Sequence, residues 1–362
     1  MSAVPNIECP RCKKLHPQTL FSQEHGLCVY CRADDAEKID PIPDPVEQGE
    51  DPKEEGASLK AQKELAKRIL SRKRLLPFVE RFTPDYQAGW VHKDICKRLE
   101  KFSQDVVDRK SPRLMLFMPP RHGKSTLASI TFPAWHLGRN PKHEFISCSY
   151  SGSLAMSFSR KVRHLLREPL YKNVFSDSRL DPHSQSVEAW LTTKGGGYVS
   201  AGVGGGITGK GAHVLVIDDP VKNREDAESD FNRDNVWDWY TSTAYTRLAP
   251  GGGILIILTR WHDDDLAGRL LRNASDGGDE WEVVKYPAVA EAAENFREIG
   301  EALHSERYGL EALEKIRKAI GPRDWSALYQ QNPVSDEGDY FTRDMIRYYK
   351  PDDIDLGRMK FY

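Results

Sequence analysis

No apolar run in the sequence is long enough to cross a bilayer, and the first residues lack the charged, apolar and small-residue series that directs secretion. Cysteine is scarce. There are six in 362 residues: four lie within the first 31, and Cys96 and Cys148 stand alone in apolar segments. That distribution excludes a disulfide framework and suits a reducing compartment with one metal site. Charge of one sign is also missing, since 52 Lys and Arg face 54 Asp and Glu for a formal net charge of −2. Whole-molecule attraction to nucleic acid is therefore excluded, and any contact with DNA must come from local patches. The expectation is a soluble intracellular protein of about two domains.

What the sequence does have is organised around residues 113–127. Leu114 to Met118 reads as a buried strand, followed by a turn and a helix start. The turn closes on Gly123, Lys124 and Ser125, the second half of a phosphate-binding loop. Glycine lets the backbone approach phosphate, amides at the helix N-terminus point at it, lysine reaches the β- and γ-phosphates, and the serine hydroxyl ligates Mg²⁺. Pro120, Arg121, His122 and Thr126 complete the expected cradle for ATP. Met118 stands where the first glycine of the full pattern would fall.

Toward the N-terminus, Cys9, Cys12, Cys28 and Cys31 follow the spacing C-x2-C-x15-C-x2-C. Two such knuckles aim four thiolates at one point, a tetrahedral Zn²⁺ site whose metal would supply the folding energy of a segment too short for a core. Residues 38–58 are acidic, proline-rich and poor in large apolar groups, which reads as a flexible linker. Ser58 is then a candidate cap for a helix running to about Arg74, with Leu65, Ile69 and Leu70 on one face.

Before the phosphate loop, Tyr86 or Trp90 is placed to stack on an adenine and Gln87 to bond its edge; an apolar staple at a helix start is the other reading. After the loop the chain alternates: a helix from Ser125 to about Gly138, a strand from Glu144 to Tyr150, and a helix from Ser153 carrying Arg160, Lys161, Arg163, His164 and Arg167. That alternation builds a parallel sheet with right-handed crossovers. The basic helix presents either a DNA-facing or a merely solvated surface. Two short β runs, Ala189–Thr193 and Gly197–Ala201, lead to a glycine-rich stretch over 202–211, read as a hinge or sensing loop.

The partner that the phosphate loop needs comes next. Val214 to Ile217 is a wholly apolar strand ending in Asp218 and Asp219. A continuous apolar run marks a strand buried on both faces. Asp218 at its carboxyl edge would hold Mg²⁺, and Asp219 would polarise the attacking water. A further strand, Gly253 to Leu258, ends in Thr259 and Arg260, candidates for sensing the γ-phosphate. His262 with Asp263–Asp265 is either a metal cluster or a helix cap. Arg233 to Arg247 reads as one helix packed on the sheet, and two helical stretches fill 306–332, the first from Tyr308 to about Ile320. The expected fold class is α/β: a P-loop NTPase with a mostly parallel central sheet flanked by helices, plus a small N-terminal zinc ribbon. The expected boundaries are 1–37 zinc ribbon, 38–58 linker, 59–338 ATPase and 339–362 a linker and the start of a further domain that is itself absent.

Four motifs stand in one order: Met118 to Ser125, Ser147 to Ala155, Thr208 to Asn223 and Leu258 to Leu270. Together they resemble the large subunit of tailed-bacteriophage terminases, over about residues 80–345. The resemblance implies an ATPase that drives double-stranded viral DNA into a procapsid, with ATP and Mg²⁺ as cofactors. By residue it implies Lys124 and Ser125 on phosphate and metal, Asp218 on Mg²⁺, Asp219 as catalytic carboxylate, Arg121 as a cis arginine finger and Thr259 in the coupling motif. It also implies a portal protein, a terminase small subunit, a homo-oligomeric (pentameric) ring and the cytoplasm of a bacterial host, with no membrane. A neighbour's Lys210, Arg224 or Arg247 would complete each site in such a ring. The chain departs from the family in three ways. It has Asp219 where Glu is more general, Arg121 is offset by a position from many members, and the cysteine knuckles lie outside the resemblance. The family's nuclease begins with a strand bearing a metal-binding aspartate, and Tyr362 falls about where that strand would start, so no nuclease activity is expected from these residues. The competing reading is a zinc-ribbon-containing, nucleic-acid-dependent ATPase of helicase-like type. Against it stands the lack of room for a second nucleotide-contacting domain.

Overall fold

The computed structural model describes the backbone of residues 6–8, 15–17 and 52–58, and residues 59–333 in full. The chain divides into two units, Met1–Leu59 and Lys60–Tyr362. In the first, β1 (Asn6–Glu8) and β2 (Leu15–Pro17) pair antiparallel. Cys9, Cys12, Cys28 and Cys31, most of the expected linker and the expected C-terminal strand lie outside the described residues.

Helix α1 spans Pro52–Lys73. It starts six residues before the expected cap, so Ser58 is inside the helix and the linker reading does not hold for 52–58. Proline costs nothing in a first turn, where its missing N–H would be unpaired anyway, and the Lys, Glu and Ala that follow are strong helix formers. Leu65, Ile69 and Leu70 are exposed, so the expected apolar face is not buried. Helices α2 (Leu75–Phe82) and α3 (Trp90–Val107) follow, the latter burying Val91, Ile95, Leu99 and Phe102 at helical spacing.

An eight-stranded sheet forms the centre of the second unit. Its strands in chain order are β3 (Arg113–Phe117), β4 (Glu144–Ser149), β5 (Leu180–Gln185), β6 (Ala189–Thr192), β7 (Gly197–Gly202), β8 (Ala212–Asp218), β9 (Leu248–Leu258) and β10 (Glu282–Lys285). Across the sheet the order is β10-β3-β9-β8-β4-β7-β6-β5. All pairs from β10 to β7 are parallel, and the last two pairs are antiparallel.

Both faces of the sheet are buried, as the apolar runs require. Leu114, Leu116, Val214, Val216, Leu255 and Ile257 face one core, shared with α2, α3, α4 (Phe132–Arg139) and α5 (Gly152–Arg167). Met115, Phe117, Leu215, Ile217, Ile254 and Ile256 face the other, covered by α8 (Asp230–Trp239) and α9 (Leu266–Ser275). Each such side chain contributes on the order of 1.5–3 kcal/mol by leaving water. The remaining helices are α6 (Pro169–Val174), α7 (Arg224–Glu228) and α10 (Leu310–Asp324), the last broken at Gly321 (φ 81°) before Pro322.

The expected single helix over 233–247 is instead three pieces. After α8 the chain winds into a π-turn (Tyr240–Ala244) and a 3₁₀ turn (Tyr245–Arg247). Hydroxyls compete with the helical ladder here: Thr241 donates to the Trp237 carbonyl at 3.0 Å, Ser242 to Asp238 at 2.5 Å and Thr246 to Thr243 at 2.9 Å.

Candidate nucleotide-binding site

In a sheet of this kind the loops at the carboxyl ends of parallel strands converge on one crevice. Here β9 lies between β3 and β8, so the residue after β9 sits between the loop after β3 and the acids after β8. Backbone hydrogen bonds fix the three ends together. The Met118 amide donates to Leu258 O at 3.3 Å, the Asp219 amide to Ile257 O at 2.9 Å, and the Tyr150 amide to Asp219 O at 3.1 Å.

The phosphate loop makes its turn with Arg121 (φ 64°) and Gly123 (φ 90°) in the left-handed region. A Cβ on Gly123 would lie 3.3 Å from His92 Nε2 and 3.6 Å from the Tyr86 hydroxyl, so backbone conformation and space both call for glycine. Thr126–Thr131 then winds as a π-turn, closed by a bond from the Phe132 amide to Leu127 O. Pro133, next in the chain, has no amide to continue a regular ladder. Beyond it α4 proceeds normally.

Lys124 is buried, and its Nζ bonds the Thr259 hydroxyl and lies 3.2 Å from Asp219 Oδ2. The other Asp219 oxygen accepts the Thr259 amide at 2.8 Å. Asp219 has φ 45°, an uncommon backbone state for a non-glycine residue, and it turns this carboxylate away from the strand and onto the lysine. Asp218 has the opposite environment. It is 1% exposed, Ser129 Oγ donates to Oδ2 at 2.6 Å and Ser125 Oγ to Oδ1 at 3.2 Å. Burial, and then the adjoining Asp219 charge, push the Asp218 carboxyl above the ordinary range, while the two hydroxyls and Lys124 act against that shift. A buried carboxylate beside the loop serine fits a hard divalent cation held by oxygen ligands.

Lys124, Ser125, Asp219 and Thr259 open on a cavity of about 440 Å³ lined by Pro120, Arg121, Gly123, Lys124, Ser125 and Thr126 from the loop. Tyr150, Asp219, Val221, Lys222, Thr259, Trp261 and Arg307 complete it. Arg121 is exposed on that wall, and among the described residues it has no ion-pair partner.

Several expected residues lie elsewhere. The His122 ring is buried beneath the loop, with Nδ1 2.8 Å from Pro120 O and its face stacked on Tyr308. The Tyr86 hydroxyl is buried behind Gly123 with no partner among the described residues. Gln87 lines a separate cleft of about 270 Å³ with Ala88, Gly89, His304 and Glu306. Trp90 already stacks on Phe296 at 5.2 Å. Arg260 points away from the cavity to Asp265 at 2.6 Å. Asp265 caps α9 through the Gly268 amide and His262 accepts the Asp264 amide, so that cluster is a helix start. Of the candidate trans cations, Arg224 pairs with Glu228 at 3.0 Å and with Asp324, Arg247 bonds Thr246, and Lys210 is exposed.

Sequence reasoning missed Ser129, Tyr150, Trp261 and Arg307. Ser129 had a readable signal, since it stands four residues after Ser125 and so shares a helical face with it. Arg307 had none.

Three solved structures are similar in part. The HK97 bacteriophage large terminase is 14% identical, with a TM-score of 0.47 over 72% of this chain and 55% of that one. The large terminase of a thermophilic bacteriophage, in complex with ADP, is 9% identical with a TM-score of 0.38 over 67% and 56%. The same thermophilic phage protein with ATP-γ-S gives 9% and 0.34 over 62% and 50%. The chain thus spans about half the length of the structures it matches. No curated protein sequence matches it. The family model described as terminase large subunit, T4likevirus-type, N-terminal, matches residues 115–348, well over half of the sequence, and the chain belongs to that family.

Proposed function

We propose that this chain is an ATPase that binds Mg·ATP at the carboxyl edge of its sheet and couples hydrolysis to movement of double-stranded viral DNA into a procapsid. One observation carries the reading: Lys124, Asp219 and Thr259 meet at a single point, with Asp218 buried behind Ser125. Family membership supports it.

In this reading the phosphate chain displaces Asp219 and Thr259 from the Lys124 ammonium. Asp219, released from the lysine but still held by the Thr259 amide, orients the attacking water and accepts its proton. Thr259, whose amide holds Asp219 and whose hydroxyl returns to Lys124 when the γ-phosphate leaves, passes that loss to β9 and the Trp261 segment. Ser125 and Asp218 would hold Mg²⁺, which would supply neutralisation of phosphate charge when bound. Ser129 keeps the Asp218 carboxylate aimed. Arg121 is the cis candidate for the charge developing in the transition state.

The remaining elements are part of the same proposal. Cys9, Cys12, Cys28 and Cys31 hold a structural Zn²⁺ in an N-terminal ribbon. The chain works in the host cytoplasm as a ring, pentameric in the family, with a portal protein and a small subunit as partners, and a neighbour's cation completes each site.

Steady-state hydrolysis, with and without double-stranded DNA and at rising protein concentration, tests this. Mg²⁺-dependent turnover that rises with concentration and vanishes in Lys124→Ala supports a ring motor. Turnover retained in Lys124→Ala would overturn it.

A further inference from the structure

One cavity-lining cation comes from outside every motif. Arg307 lies between β10 and α10, far in sequence from the loops at the strand ends, yet it faces the same cavity as Lys124 and Asp219. Its position is fixed by its neighbours. The amides of Arg307 and Tyr308 both donate to His304 O, at 3.1 and 2.8 Å, forming one tight turn. Each end of that turn is fastened to the phosphate loop by a ring contact. Tyr308 stacks on His122 at 4.8 Å and 28°, and His304 meets His92 edge-on at 4.8 Å and 75°.

His92 ties the second contact to the loop backbone. Its Nδ1 accepts the Gly89 amide at 3.0 Å, so Nε2 carries the proton and donates to His122 O at 3.0 Å. Burial pushes His92 and His122 down to about 4, which keeps both rings neutral around pH 7. Two neutral, buried rings of the loop region thus set where the 304–308 turn sits, and Arg307 is carried with it.

The cavity's charge shows what Arg307 is suited to meet. Arg121, Lys124, Lys222 and Arg307 face a single carboxylate, Asp219, which Lys124 already engages. Among the described residues no carboxylate pairs with the Arg307 guanidinium. A guanidinium fork matches two oxygens of a phosphate, which a lysine cannot do.

We infer that Arg307 is a phosphate ligand of the bound nucleotide, supplied in cis by the segment after β10 and held in register with the phosphate loop by the His122–Tyr308 and His92–His304 contacts. The inference rests on the nucleotide reading above and adds a residue that clasps the phosphate chain from a part of the fold that carries no phosphate-binding motif.

Calorimetric binding of ATP-γ-S, ADP and adenosine to the full chain tests it, with Mg²⁺ present. Arg307→Ala should weaken ATP-γ-S and ADP about tenfold and leave adenosine unchanged. Arg307→Lys, which keeps charge but loses the fork, should fall between. Undiminished ADP and ATP-γ-S binding in Arg307→Ala would overturn the inference, as would an equal loss for adenosine, which would move Arg307 to the nucleoside. Lys124→Ala separates the two levels. If it binds ATP-γ-S as the unaltered chain does, the nucleotide reading itself fails; if it loses binding while Arg307→Ala does not, only the role of Arg307 fails. Should Arg307→Ala melt early, Arg307→Gln, of similar length, gives the same comparison.

Discussion

At the carboxyl ends of the strands, His122, His304, Tyr86 and Ser149 each bury a polar atom that finds no partner among the described residues. At the amino ends, His136 spans Ser103 Oγ at 2.8 Å and His143 Nδ1 at 3.0 Å, His143 stacks on His213 at 4.4 Å, and His213 Nδ1 accepts the Glu144 amide at 3.1 Å. Both edges bury imidazoles, and burial lowers the pKa of the rings at both. They differ in satisfaction. A buried polar group without a partner costs roughly 1–3 kcal/mol. The amino edge uses its histidines to hold helices to the sheet. The carboxyl edge leaves ring nitrogens of His122 and His304 open, while left-handed backbone occurs at both edges, at Arg121 and Asp219 and at Arg109 and Ser111 before β3.

Substitutions at the two edges should therefore fail differently. Lys124→Ala should lower turnover by about three orders of magnitude with little loss of stability, read by hydrolysis beside thermal melting. His136→Ala should do the reverse. It leaves Ser103 and His143 without their partner and opens a cavity, costing on the order of 2–4 kcal/mol, while turnover per folded molecule stays unchanged. A fall in that turnover would break the division between the edges.

Smaller effects sharpen it. Ser129→Ala removes one of two donors to a buried carboxylate and should cost about 1–2 kcal/mol and raise the Mg²⁺ needed for half-maximal hydrolysis, with ADP affinity in the absence of metal little changed. A last effect concerns pH. His143 is held at about 4 against an ordinary 6.5, and His136 is also pushed well below 6.5, both chiefly by burial. A folded state that favours neutral rings keeps this stability above pH 6.5 and loses it as pH falls toward 4. Melting temperature should drop across that window, and His143→Gln should flatten the drop. A parallel pH curve in His143→Gln would assign the loss to other groups.

The strands that carry the site were legible because they are buried on both faces: β3, β4, β8 and the end of β9 are apolar runs, and their ends fall within a residue or two of the expectation. The missed strands lie at the sheet's margins. β10 has four residues with only Val284 buried, and β5 carries Pro182 and no apolar alternation, so neither has the pattern that a core imposes. The same logic holds for the site. Gly123, Lys124, Ser125, Asp218, Asp219 and Thr259 are adjacent to strand ends and could be read from position alone. Arg307 depends on two ring contacts across long stretches of chain, and Gln87 is turned into a neighbouring cleft by the start of α3. No local pattern encodes either.

The central claim is that Asp219 and Asp218, adjacent in sequence, serve separate roles set by their environments. Single-turnover hydrolysis by Asp219→Asn, alongside calorimetric ADP binding, tests it most directly. Nucleotide binding within a few-fold of the unaltered chain, with the hydrolytic step slowed by about 10²–10⁴, is the predicted result. Hydrolysis at the unaltered rate would contradict the account and move the catalytic carboxylate elsewhere.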